Sequence, residues 1–180
     1  MRPDLAEQRF QEIYSAHQRH VLAYFLRRTD ATSARDGAAE TFLVTWRRIG
    51  EVPAGDSTLP WLYGVARRVL ANQRRSRDRS NALSQKLNHL GTREESSPEV
   101  IVLRRAEDEE MLDAVERLRP EDQEVLRLVV WEELPHAQAG EVIGTSAHAI
   151  TQRLYRITKH LARELQRPGR QRQAGGGDPR

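Results

Sequence analysis

Every sustained apolar pattern in this 180-residue chain repeats at steps of three and four, and none alternates with period two between turn signals. Phe10, Ile13, Tyr14 and His17 share one helical face, continued by Val21, Leu22, Phe25 and Leu26. After the capping-rich break Thr29 to Ser33, a second stripe runs through Ala38, Ala39, Phe42, Leu43, Trp46 and Ile49 to Gly50. The segment GEVPAGDSTLP holds two glycines and two prolines and reads as a loop. Pro60 stands where a first helical turn tolerates it and opens the helix LPWLYGVARRVLANQRR.

From Ser76 the composition turns to Ser, Asn, Gln, Arg, Glu and Thr with scattered leucines. That mixture predicts a tether, with one short helical turn between Leu83 and Leu90. Helical spacing resumes near Pro98, through Val100, Leu103, Met111, Ala114, Val115 and Leu118. The end of the chain, RPGRQRQAGGGDPR, lacks residues that could pack. The expected fold is all-α, two small helical domains joined by a flexible linker. Their boundaries fall at residues 1–79 and 98–167, with a linker at 80–97 and a tail at 168–180.

Composition excludes whole classes of function. With no cysteine there are no disulfides, thiolate metal sites or cysteine nucleophiles. No apolar run approaches the ~20 residues that span a membrane, and no signal peptide opens the chain, so a cytoplasmic protein without membrane insertion is expected. His-Glu metal spacing, a glycine-rich phosphate loop and a nucleophile elbow are all missing, which disfavours an enzyme and calls for no cofactor. Glu107 to Glu110 is read as an exposed helix start suited to the helix dipole. Of the 29 basic residues only Lys86 and Lys159 are lysine. An arginine excess suits phosphate and guanine edges, and it also follows from GC-rich coding, so position is the better guide.

Position picks out two places. Arg67, Arg68, Arg74, Arg75, Arg77 and Arg79 follow Trp61 and Tyr63 on one helix, with Trp46 ahead of the loop. Cations interleaved with aromatics suit single-stranded nucleic acid: charge tracks the backbone while rings accept unstacked bases. Taken singly, each aromatic is better read as a core residue and the arginines as a solvated tail; for the whole cluster beside an irregular loop, binding is the better reading. Near the C-terminus, Pro135 opens a short helix with Ala137, Val142 and Ile143 on its buried side. Gly144 can end it, Ser146 can cap the next, and Gly140 supplies the small side chain that close packing demands. The second helix buries Ile150, Leu154, Ile157 and Leu161 and carries His148, Thr151, Gln152, Arg153, Arg156 and Lys159 on its other face. This is the helix-turn-helix pattern, with Gln152 and Arg153 toward base edges and Arg156 and Lys159 at phosphates. A plain helical hairpin with a solvated basic face is the alternative.

The segments FQEIYSAHQRHVLAYFLRRT, ARDGAAETFLVTWRRI and LPWLYGVARRVLANQRR, in that order, resemble the first conserved domain of bacterial RNA polymerase sigma factors of the extracytoplasmic-function group. LRPEDQEVLRLVVWEELPHAQAGEVIGTSAHAITQRLYRITKHLAREL resembles their C-terminal promoter-reading domain. The resemblance implies a sigma factor that binds core RNA polymerase and directs promoter-specific initiation. Asp36, Glu40, Thr41, Leu43, Trp46 and Arg47 would meet the clamp helices of the largest subunit. Asp56, Ser57, Thr58, Trp61, Tyr63, Arg67, Arg68, Asn72, Arg74 and Arg75 would recognise and open the −10 element, and so touch single-stranded DNA. Ser146, His148, Ala149, Thr151, Gln152, Arg153, Arg156 and Lys159 would read the −35 duplex. The chain departs from the family pattern at Gly37 and Ala39 (usually Leu and Gln), at Arg68 and Asn72 (often Asn and Asp), and at Thr151 (frequently Lys). Pro135, His136, Ala139 and Gly140 replace a more common Ser, Tyr, Ile and Ala, which predicts looser packing of that helix. An anti-sigma factor is a further candidate partner, and a stand-alone helix-turn-helix regulator is the competing reading.

Overall fold

The computed structural model describes residues 3–87 and 106–165. The expected linker from residue 88 on, the start of the second domain at 98–105 and the expected tail lie outside the described residues. Three helices build the first domain: α1 (Pro3–Leu26), α2 (Ala31–Arg47) and α3 (Thr58–Leu87). Four build the second: α4 (Ala106–Glu116), α5 (Pro120–Leu126), α6 (His136–Ile143) and α7 (Ala147–Leu165). Among the described residues there is no strand, as the uniform helical spacing implies. None of these helices is long and apolar enough to cross a membrane.

Local chemistry sets the helix ends. Asp30 caps α2, its carboxylate accepting the Ser33 amide at 2.9 Å. Pro60 lies in the first turn of α3, where its missing N–H costs nothing. Gly144 ends α6 in the left-handed conformation (φ 85°), and the Ser146 hydroxyl accepts the Ala149 amide at 3.2 Å to start α7.

One expectation needs correction. The domain boundary placed at residue 79 falls inside α3, which continues to Leu87. RSRDRSNALSQKL contains no Pro or Gly and is rich in Arg, Ala, Leu, Gln and Lys, so helix propagation outlasts the packed core. The two expected domains also touch. Their buried side chains merge into one cluster, from Val21, Tyr24, Phe25 and Leu62 to Val125, Leu128, Ala139 and Ile150.

The Ser33 amide bond, the Ser33 hydroxyl and Arg77 together hold the Asp30 carboxyl down at about 2. A native value below the unfolded value near 3.9 means stability that is present above pH ~4 and lost as pH falls toward 2. Asp30→Ala should therefore cost about 1 kcal/mol at pH 7 and less at pH 2, read by chemical denaturation at the two pH values.

Candidate nucleic-acid interface

The apolar stripe on α2 is wider than the core needs. Ala38 and Phe42 are buried, whereas Ala39, Leu43 and Trp46 lie exposed at spacings of four and three. Trp46 packs edge-on against Phe10 (5.4 Å between ring centroids) and still leaves 43% of its surface open. Asp36, Glu40 and Arg47 are exposed on the same helix. Thr41 is not: it is fully buried, and its hydroxyl donates to the Gly37 carbonyl at 2.8 Å. It can hold the helix but cannot reach a partner. Gly37 is a packing requirement, because a Cβ there would lie 2.4 Å from the ring of buried Phe25. Gly37→Ala should destabilise the chain by about 1–3 kcal/mol, measured as a drop in the unfolding midpoint.

The loop between α2 and α3 is pinned along its length and open at its tip. Arg9 donates to the Val52 carbonyl, Arg48 pairs with Glu51, and Val52 is buried. The Thr58 hydroxyl donates to the Pro53 carbonyl at 2.9 Å, so Thr58 is a buried strut and not a surface contact. Gly55 adopts φ 64° with open space around its Cα, and Asp56 and Ser57 are exposed on the short 3-10 turn that follows. Trp61 is half-buried beside this loop, with the Arg48 guanidinium 5.7 Å from its ring. Arg67 is half-buried, and Arg68, Asn72, Arg74 and Arg75 are exposed along α3, with Arg75 donating to Asn72 at 2.6 Å. Tyr63 departs from the expected role. It is 1% exposed, stacks on Tyr24 at 5.3 Å and donates to Glu132, so it offers no face to a base.

In the second domain, Ser146, His148, Thr151, Gln152, Arg156 and Lys159 are exposed on α7, and Ala149 is half-buried. Gly140 brings α6 against the start of α7: a Cβ there would meet the Thr145 carbonyl oxygen at 2.6 Å. Ala139 is fully buried, so the small residues close the turn instead of loosening it. Ala137 points outward, contrary to expectation, and Ala139, Gly140 and Val142 form the buried side. His136 Nδ1 lies 2.8 Å from Thr151 Oγ1, joining α6 to α7. Arg153 faces the carboxylates of Asp122 (3.4 Å) and Glu121 (3.7 Å) and is not directed freely into solvent. Together with Arg117, Arg119, Arg156 and His160 it lines a 390 Å³ cleft between α5 and α7.

A third cluster has no counterpart in the sequence reading. The Arg28 side chain is fully buried and donates to Glu124 (3.0 and 3.3 Å), Glu132 (2.9 Å) and the Tyr24 carbonyl (2.8 Å). Arg27 reaches Glu132 at 2.6 Å, and the Tyr24 hydroxyl donates to Glu124 at 2.9 Å. Burial, reinforced by the neighbouring carboxylates, holds both the Tyr24 and Tyr63 hydroxyls protonated well above their ordinary range. The partners are about a hundred positions apart, too far for any local pattern to pair them.

Among the described residues no three metal-ligating side chains gather. Comparison with known proteins bears on what the surfaces are for. Residues 13–80 match the model for sigma-70 region 2, and residues 108–161 the model for sigma-70, region 4. The chain is 34% identical over 160 residues to the ECF RNA polymerase sigma factor BldN of Streptomyces coelicolor, with 87% of this chain and 60% of that protein covered. It therefore spans about three fifths of that relative's length. It is 29% identical to the ECF RNA polymerase sigma factor SigL of Mycobacterium tuberculosis, covering 87% of this chain and 89% of SigL. The solved sigma factor RpoE of Bartonella quintana, in complex with the anti-sigma factor NepR, superposes with a TM-score of 0.64 at 16% identity. That superposition covers 89% of this chain and 98% of RpoE, and it speaks for the fold.

Proposed function

Because the chain belongs to the sigma-70 family of RNA polymerase sigma factors, in its extracytoplasmic-function group, we propose that it binds core RNA polymerase and delivers it to a class of promoters. In this reading the polymerase performs the chemistry and the chain supplies specificity. The observation that carries it is the pairing, in one chain, of a pinned loop beside an aromatic-arginine helix with a helix-turn-helix. A regulator of duplex DNA alone has no use for the first.

The exposed Leu43 and Trp46, flanked by Asp36, Glu40 and Arg47, offer an apolar patch with a charged rim, the composition of a docking face for the clamp helices. Asp56 and Ser57 at the loop tip, with Trp61 beside the loop and Arg67 further along α3, would receive an unstacked base of the −10 element. Extruding that base costs a few kcal/mol, which stacking and cation contacts offset. Arg68, Arg74 and Arg75 would follow the phosphates, and Asn72, tied to Arg75, would orient it. Gln152 on α7 would read a base edge of the −35 duplex, with Arg156 and Lys159 on phosphates. Proteins of this design work where the polymerase is, in the cytoplasm.

Purified core polymerase with this chain should initiate at specific promoters that core alone ignores. Failure to do so, together with tight and specific duplex binding by the free chain, would replace this reading with that of a stand-alone regulator. Trp61→Ala with Arg67→Ala should lower permanganate reactivity at the −10 element at least tenfold while closed-complex formation changes by less than threefold. Unchanged reactivity would remove these two residues from the melting step.

A further inference from the structure

We propose that Asp122 and Glu121, the acidic pair in the first turn of α5, are positioning residues for α7: they hold the Arg153 guanidinium off duplex DNA and so weaken the chain's grip on sequences it does not read. The inference rests on the reading of α7 as the helix that meets the −35 duplex. It gives Arg153 a different task from the base contact expected of it.

Arg153 stands at the margin of the exposed face of α7. It follows the exposed Gln152, yet it lies one turn from buried Ile150 on one side and one turn from buried Ile157 on the other, so its stem leaves the helix toward α5. There its Nε lies 3.4 Å from Asp122 Oδ1 and its Nη2 3.7 Å from Glu121 Oε2. Both separations exceed the roughly 2.7–2.9 Å of a tight guanidinium–carboxylate bond. Arg28, in contrast, meets Glu124 at 3.0 Å with its side chain wholly buried. Glu121 keeps 75% of its side chain in solvent. A pair this open and this long adds little to the stability of the fold, and what it fixes is where the cation sits. The 390 Å³ cleft between α5 and α7, with Arg156 and His160 on its α7 wall, gives the guanidinium room to turn outward once released.

Two carboxylates beside one guanidinium present the anionic oxygens that a phosphodiester would present, so the acids compete with the DNA backbone for the same donor. Binding to duplex of any sequence grows with the number of cations that reach phosphates. An arginine held by resident acids is withdrawn from that number, while the neutral amide of Gln152 keeps its access to a base edge. Specificity is the ratio of affinities for read and unread duplex, and removing one sequence-blind contact raises it. Glu121 and Asp122 also suit the start of α5, where the helix dipole favours negative charge. A role confined to that helix start does not involve Arg153, and this separates the two explanations experimentally.

The test is binding of the full-length chain to a short fluorescent duplex of random sequence, followed by anisotropy across a salt series. Glu121→Gln with Asp122→Asn should tighten binding at least tenfold at low salt and steepen the fall of log affinity with log salt by about 0.9, the mark of one added phosphate contact. With Arg153→Ala also present, the same pair should gain at most threefold, the part owed to lost repulsion, and leave the salt slope unchanged. Arg153→Ala alone should alter binding less than twofold. Equal gains with and without Arg153 would overturn the proposal, since the acids would then act only through bulk charge. A tenfold loss from Arg153→Ala alone would overturn it too, by placing that arginine on the duplex already. Circular dichroism should show unchanged helicity; if the paired variant loses it, Asp122→Asn alone carries the comparison. The duplex is random, so neither a promoter nor core polymerase enters the measurement. If the gain depends on Arg153 yet core polymerase is not directed to promoters, the hold on Arg153 stands and the sigma reading falls. If transcription succeeds and both backgrounds gain alike, the hold falls and the sigma reading stands.

Discussion

A guanidinium with no solvent exposure sets the terms for this structure. Arg28 sits at the end of the first helix and cannot remain buried unless its donors are met by charge. Meeting them takes carboxylates from two places, α5 and the turn after the π-helical segment, and a carbonyl from its own helix. Removing one partner would leave an uncompensated buried charge, at a cost of about 3–5 kcal/mol. Once Glu124 and Glu132 are seated, α6 is brought against the loop ahead of α3, and Tyr63 is sealed inside. The position of the helix-turn-helix relative to the loop follows from this one cation.

The same economy of apolar surface explains the outer face of α2. A helix packed on one side needs a single stripe, and Ala38 and Phe42, joined by the threonines that bond back to the preceding turn, supply it. Leu43 and Trp46 are left over on a second side, where a monomer gains nothing from them. Phe25 pressing on Gly37 brings α1 close to this helix, so the Phe10–Trp46 edge contact holds the tryptophan without hiding it. A fixed, half-open aromatic loses little freedom when a partner covers it.

Much of this was legible in the chain. Helical spacing identified the first three helices and the helix-turn-helix, and the φ-permissive Gly144 and capping Ser146 fell where their chemistry put them. What escaped was what depends on distant contacts. The Tyr63 ring satisfies the same local pattern whether it faces solvent or the other domain, and only Glu132, 69 positions on, decides between them. Thr41 and Thr58 look like surface polar residues until their hydroxyls are seen bonding to nearby carbonyls. The continuation of α3 beyond residue 79 is not legible in a polar composition, because Arg, Ala, Leu, Gln and Lys can propagate a helix that has no core to bury.

Helix α7 carries its own constraint. The Thr151 hydroxyl is engaged both by His136 and by the Ala147 carbonyl at 3.0 Å. A group held at both ends cannot extend toward a phosphate. Arg153 is likewise committed to Asp122 and Glu121, so its use on a base edge would first require it to leave those carboxylates. Gln152, Arg156 and Lys159 share the exposed face of α7, where the Arg156 guanidinium donates to the Gln152 carbonyl at 3.4 Å and the Lys159 ammonium lies 5.9 Å from the Tyr155 ring. If α7 lies in the major groove as proposed, discrimination at the −35 element would fall chiefly to Gln152, whose amide can pair bidentately with adenine, while the two cations would position it without reading sequence.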